Sequence, residues 1–163
     1  MSVGYATIYG DMCGGLNPIG DIYKTEVFDL SRFYNKLHGK EMILNSIIDR
    51  PPSAELRPDQ KDEDSLPPYP VLDCILKSLL ENTVDENLRE AFKKYTTGPD
   101  GELTLIKRIV SLVENAEFKR KQAAPIVRCQ KISFGFGRNM PIVQKFSKTN
   151  LDVIAETIQD KLR

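Results

Sequence analysis

The spacing of apolar positions changes several times along this chain, and each change marks a segment. Residues 3–9, VGYATIY, crowd β-branched and aromatic side chains together and stop at Gly10-Asp11; that composition predicts a short strand. Residues 11–20 contain Gly14, Gly15, Pro18 and Gly20, which predicts a loop. From Ile22 the spacing turns helical. Val27, Leu30, Tyr34 and Leu37 fall on one face of a helix reaching His38, with Asp21 as its expected N-cap and Gly39 as its expected C-cap. A shorter helix is predicted over residues 41–49, carrying Met42, Ile43, Ile47 and Ile48 and ending before Pro51.

The second half is also helical in its spacing. Leu72, Ile75, Leu76 and Leu79 share a face within residues 71–81. Thr83 and Glu86 form a capping-box pattern for a helix over 84–95. Thr96-Thr97-Gly98-Pro99-Asp100-Gly101 predicts a turn, and a helix over 102–115 turns Leu105, Ile109, Leu112 and Val113 inward. Residues 126–134, IVRCQKISF, read as extended, and Gly135, Gly137 and Pro141 break that segment. Thr149 and Asp152 open a last helix with Leu151, Ile154, Ala155, Ile158 and Leu162 on its apolar face. There are no internal repeats. Five or six helices and at most three strands result, too few strands for a substantial sheet. The first strand is expected to belong to a parallel sheet whose other strands lie elsewhere.

Residues 50–70, RPPSAELRPDQKDEDSLPPYP, break every period. They hold six of the ten prolines and eight charged side chains. A loop of this length inside a compact domain is either disordered or functional, and the reading here is a mobile lid.

Charge narrows the partners. The 23 basic and 23 acidic side chains cancel, whereas nucleic-acid and membrane surfaces draw on a basic excess. No apolar run approaches the ~18 residues of a membrane span, and the amino terminus lacks a signal-peptide pattern. Cys13, Cys74 and Cys129 form no C-x-x-C pair and fit no zinc spacing. They are expected to be ordinary buried or half-buried thiols of a cytoplasmic protein. The 163 residues suit a single domain.

Candidate chemistry is sparse on spacing alone. His38, beside Gly39, reads as a solvated cation at a helix end. Gly135-Phe136-Gly137-Arg138 is an incomplete glycine pattern without the setting of a dinucleotide fingerprint. Lys61-Asp62-Glu63-Asp64 offers carboxylates to Mg²⁺, although a solvated acidic loop is its default reading. Phe118-Lys119-Arg120-Lys121 either grips an anion or forms a solvated helix end.

Taken in order, several blocks resemble one family. Residues 4–25, GYATIYGDMCGGLNPIGDIYKT, are similar to the segment that comes after the nucleotide-binding half of NAD synthetases, most of all the long glutamine-dependent bacterial enzymes. The likeness continues through Pro51-Pro52-Ser53-Ala54-Glu55-Leu56-Arg57-Pro58 and Gln60-Lys61-Asp62-Glu63-Asp64. It resumes at Glu117-Phe118-Lys119-Arg120-Lys121-Gln122 and Gly135-Phe136-Gly137-Arg138-Asn139-Met140-Pro141. Each block is weak alone, and their shared order is specific.

That resemblance implies an α/β fold: the chain is expected to be a mostly α-helical fragment, residues 1–163, of a Rossmann-like domain of the adenine-nucleotide α-hydrolase type. It implies an ATP-dependent ligase that adenylates the nicotinate carboxylate of deamido-NAD and lets ammonia, from glutamine or free, displace AMP. A carboxylate is a poor electrophile and must first gain a leaving group, which calls for cationic and metal stabilisation of the phosphoryl groups. The resemblance assigns Lys24 and Ser53 to ATP, Tyr5 and Lys119 to deamido-NAD, and places Lys61 and Asp62 in the lid. Departures exist. Phe118 stands where shorter enzymes carry His, and Ile8 and Gly15 replace two of their polar substrate contacts. The family's Ser-Gly-Gly-x-Asp-Ser phosphate loop does not occur. Its metal carboxylate would precede Met1, so the ligands of Mg²⁺ are expected outside this chain, which alone is expected to be inactive. The whole protein is expected to be a cytoplasmic homo-oligomer. A rival reading is a non-catalytic helical interaction module descended from such an enzyme.

Overall fold

The computed structural model describes residues 1–10, 12–134, 137–138 and 148–163. Among them are seven α-helices, α1 (Lys24–His38), α2 (Asn45–Ile48), α3 (Tyr69–Leu80), α4 (Glu86–Tyr95), α5 (Gly98–Asn115), α6 (Glu117–Arg120) and α7 (Lys148–Leu162), and one turn of 3-10 helix at Asp62–Asp64. Among the described residues, extended structure is confined to the two-residue strands β1 (Ser133–Phe134) and β2 (Gly137–Arg138), which pair in parallel, and to an isolated bridge between Asn17 and Ile126.

Helix α3 is the hub. Its sequence YPVLDCILKSLL is apolar around most of its circumference, and Val71 to Leu76 and Ser78 are all buried. Such a helix is stable only when surrounded, and α1, α4, α5 and α7 all pack on it. Pro70 lies in its first turn, where no intrahelical N–H bond is lost. Helix α5 presents Ile106, Ile109, Val110 and Val113, α7 presents Ala155, Ile158 and Leu162, and α4 adds Phe92. Each large apolar side chain fully buried here contributes about 1.5–3 kcal/mol of transfer free energy.

The sequence locates these helices and misplaces several ends. Asp85 caps α4, accepting from the backbone N–H groups of Asn87 and Leu88, so the Thr83 capping box does not form. The turn expected over 96–101 is instead the start of α5, with Pro99 in its first turn. Along α5 the inward set is shifted: Ile106 and Val110 are buried, while Leu105 and Leu112 are only half-buried. The 41–49 helix shrinks to one turn, α2. Helix α7 begins at Lys148, just before Thr149, and of the expected face buries Ala155, Ile158 and Leu162, with Leu151 and Ile154 half-buried against the core.

Two further expectations fail for physical reasons. Residues 3–9 form turns and not a strand. No neighbouring strand among the described residues offers them a ladder, and Gly4 and Tyr9 sit at φ 66° and 52°. Asp21 does not cap α1. Its carboxylate accepts from the backbone N–H groups of Cys129 and Gln130, while Glu26 accepts from Tyr23 N–H at the helix start. The apolar stripe of α1 is helical as expected, yet Leu30, Phe33 and Leu37 are 46%, 59% and 65% exposed. Gly39 closes the helix in the left-handed region at φ 61°.

Candidate functional site

A cavity of about 520 Å³ opens between the amino-terminal segment, the start of α1 and the face of α3. Its walls come from four stretches: residues 1–6, the loop from Met12 to Tyr23, Asp62 and Leu66 of the proline-rich segment, and Tyr69 to Leu80 of α3. Gln130 to Ser133 close one side. Apart from the helices, the elements that supply these walls have little regular structure, so their placement rests on individual hydrogen bonds.

One wall of the cavity is charged. Lys24 begins α1, and its ammonium lies 5.2 Å from the centre of the Phe28 ring and 5.7 Å from that of Tyr69, within cation–π range. The Tyr69 hydroxyl donates to Asp62 Oδ2. Asp62 is only 7% exposed, and its Oδ1 is buried without a protein partner. One turn along α3 from Tyr69, Asp73 accepts from the Thr25 N–H at 2.8 Å, tying α3 to the start of α1. A second tie is the Lys77–Glu26 ion pair at 2.8 Å.

These surroundings shift the ionisable groups. Burial pushes the Asp73 carboxyl up from its ordinary value, and the hydrogen bonds from Thr25 oppose this in part. Burial likewise raises the Tyr69 phenol, helped by its bond to Asp62. Burial also raises Tyr23, reinforced by Glu81. For Lys77, burial works downward, but the pairing with Glu26 prevails and the ammonium is held above its usual range. In the exposed stretch beyond, the Lys61 N–H and then Arg57 lower Asp64.

The amino-terminal wall is pinned from α6. Lys119 Nζ donates to the carbonyls of Gly4 and Ala6, both at 2.8 Å. Arg120 donates to the carbonyl of Ser2 at 2.6 Å and to that of Val113 at 2.7 Å, and pairs with the buried carboxylate of Glu117 at 3.0 Å. Tyr5 lies between the clamped carbonyls, and its hydroxyl accepts from Gln60 at 3.1 Å. The proline-rich segment therefore reaches the cavity region at Gln60, Asp62 and Leu66. Its Ser65 carbonyl is held by Arg108, and its earlier part, from Ala54 to Asp59, is exposed.

Of the residues singled out in the sequence, Tyr5, Lys24 and Asp62 line the cavity, whereas Ser53, Lys61 and Lys119 are not among its lining residues. Ser53 Oγ accepts from the Glu55 N–H, the habit of a turn serine. Lys119 and Arg120 form neither a free anion grip nor a solvated helix end. Their donors serve the chain's own carbonyls, and Arg120 is buried. The acidic run is not wholly solvated, because Asp62 is buried against Tyr69. Among the described residues no three His, Cys, Asp or Glu side chains come together as a metal site. His38 is exposed and rests on Tyr34. Cys13 and Cys129 are exposed, against expectation, while Cys74 is buried. Asp11, and the glycine pattern and block from Gly135 to Pro141 except for the backbone of β2, lie outside the described residues.

Sequence reasoning missed Tyr69, Asp73 and Gln60. A signal existed for Asp73: it is the one acid within the apolar run Val71-Leu72-Asp73-Cys74-Ile75-Leu76, and a lone acid there must find a partner.

The family described as NAD synthase matches residues 1–123. The chain is 44% identical over 155 residues to the glutamine-dependent NAD(+) synthetase of Rhodobacter capsulatus, covering 90% of this chain and 26% of that protein. It is 41% identical over 150 residues to the enzyme of the same name from Thermotoga maritima, covering 91% and 24%. Against that of Aquifex aeolicus the figures are 38% over 149 residues, 90% and 24%. The chain thus spans about a quarter of the length of the curated relatives it matches.

Proposed function

The chain belongs to the NAD synthase family, and from that premise we propose that it is the carboxy-terminal part of a ligase domain that amidates deamido-NAD. In the complete protein the nicotinate carboxylate attacks the α-phosphate of ATP, and pyrophosphate leaves. Ammonia, from glutamine or from solution, then attacks the acyl adenylate. The C–N bond forms, the bond to AMP breaks, and a proton is released with NAD. The full domain is of the Rossmann-like adenine-nucleotide α-hydrolase type, and its sheet lies outside this chain. The protein is cytoplasmic and homo-oligomeric, and no helix among the described residues is long and apolar enough to cross a membrane.

The observation that carries this reading is the convergence of Tyr5 and Lys24 on one cavity. Resemblance gives them different partners, deamido-NAD for one and ATP for the other, and a ligase must bring those two substrates together. Lys24 meets an ATP phosphate with its ammonium, and Ser53 adds a contact from the segment above. Tyr5 offers its ring to deamido-NAD, and Lys119 serves the same side. Mg²⁺ is assigned to residues outside this chain, as the family resemblance implies.

Of residues 50–70, expected as a lid, Leu66 lies in the core and Tyr69 and Pro70 open α3; the stretch before them acts as the lid, with Lys61 and Asp62 inside it. Gln60 and Asp62 already touch Tyr5 and Tyr69, while Ala54 to Asp59 stay exposed. Closure over both substrates keeps water from the adenylate. Trypsin should cut after Lys61 quickly in the free complete enzyme and slowly with ATP and deamido-NAD together; Arg57 is followed by Pro58 and resists the protease. Equal rates would reduce the segment to a connector.

The activity is tested by incubating the complete protein with deamido-NAD, ATP, Mg²⁺ and either glutamine or ammonia. NAD and AMP should form in equal amounts, and this chain alone should form neither. A complete protein that makes no NAD would overturn the assignment. Finding no in-frame Ser-Gly-Gly-x-Asp-Ser segment in the upstream coding DNA would favour the non-catalytic module.

A further inference from the structure

We propose that Lys119 is a positioning residue, which sets the Tyr5 ring by clamping the backbone on either side of it. This rests on the reading of the cavity as the nucleotide site. An ammonium has three donors, and two of those on Lys119 already go to the carbonyls of Gly4 and Ala6 at 2.8 Å each. Those are the two residues that flank Tyr5. Arg120 extends the pattern to the carbonyl of Ser2. Carbonyls 2, 4 and 6 are thus held by α6, while Val3 and Tyr5 pack against the hydrophobic core and line the cavity.

Packing at Gly4 makes the clamp tight. Gly4 lies at φ 66°, and a Cβ built on it would stand 2.7 Å from Ala116 Cβ. Only glycine lets the segment come this close to α6 in this conformation. The backbone of residues 2–6 is therefore anchored by charge-assisted bonds from α6 and one glycine contact, beside the packing of Val3 and Tyr5 on the core and the Tyr5–Gln60 bond. Regular secondary structure contributes nothing, because the segment forms none. Residues 2–6 have two backbone bonds of their own, Gly4 N–H to Met1 O and Ala6 N–H to Gly4 O, which supply a direct readout.

Hydrogen exchange of this chain tests the clamp without any substrate. Lys119→Met should speed exchange of the Gly4 and Ala6 amides roughly ten- to a hundredfold, the loss expected for charge-assisted hydrogen bonds. The amides of α3 and α5 should keep their rates. Lys119→Arg should restore most of the protection, since it also donates to carbonyls. Gly4→Ala should reproduce the effect of Lys119→Met with every charge in place, so the test survives if Lys119→Met does not fold. In the complete enzyme, Lys119→Met and Gly4→Ala should raise KM for deamido-NAD more than KM for ATP, and their effects should be non-additive. Unchanged Gly4 and Ala6 exchange, or strictly additive effects on KM, would overturn the proposal. Faster exchange in a complete protein that makes no NAD would leave the clamp standing and refute the functional reading instead.

Discussion

Helix α5 and the segment 2–6 are anchored in opposite ways. Helix α5 buries Ile106, Ile109, Val110 and Val113 against α3 and α7. No one of these contacts is directional, and the free energy is spread over many atoms. The backbone of residues 2–6 is held by three carbonyl bonds from two adjacent basic side chains and by one glycine contact, with Val3 and Tyr5 resting on the edge of the core and Tyr5 bonded to Gln60. Each bond is directional, and few share the load. The core therefore tolerates volume-conserving change but not cavities, while the cavity wall tolerates little change of charge or shape at a few points. This division suits a binding site: a broadly supported core holds the scaffold, and a lightly supported wall can adjust to ligand.

The comparison breaks most sharply at Ile109, which is fully buried between helices. Ile109→Ala should cost about 2–5 kcal/mol of stability, seen as a lower urea midpoint with an unchanged slope. A much smaller loss would mean that the interior collapses around the truncation and that α5 is not a principal support.

A smaller effect is expected at Asp73, where core and site meet. Burial raises its folded carboxyl above the ordinary value, so the folded state holds the proton more tightly than the unfolded state does. Stability is then lost as pH rises from the ordinary carboxyl range, ~3.9, through the raised folded value. Asp73→Asn removes that titration and keeps an oxygen to accept from Thr25. The variant should be at least as stable as the parent at neutral pH and should show no advantage at low pH. Unfolding curves across that window check the sign, and an advantage for the parent at neutral pH would show that the charged form is the one the fold favours.

The same contrast explains which features the sequence reveals. The faces of α3 and α7 follow from 3.6-residue spacing, because non-directional burial leaves a periodic trace. Helix ends are less legible where two caps compete, as at Thr83 and Asp85, or where Gly98-Pro99 looks like a turn and opens α5. The cavity wall is not legible as structure. The bonds from Lys119 to Gly4 and Ala6 span more than a hundred residues and leave no local pattern. Residues 3–9 look like a strand because their composition is that of one, but a strand needs a ladder and the described residues provide none. Tyr5 and Lys24 are reached through family resemblance, and the fold places both on one cavity. The exposed stripe of α1 is legible as a helix face, yet nothing in its spacing tells whether that face is covered.

The cavity proposed as the nucleotide site of an NAD-forming ligase is tested most sharply at Lys24 in the complete enzyme. Lys24→Ala removes the ammonium on the cavity wall beside Tyr69 and leaves the buried core untouched. In that variant kcat/KM for ATP should fall roughly ten- to a hundredfold, as for the loss of one charge-assisted phosphate contact, with a lesser change for deamido-NAD. Unchanged ATP kinetics in a folded Lys24→Ala enzyme would contradict the proposal.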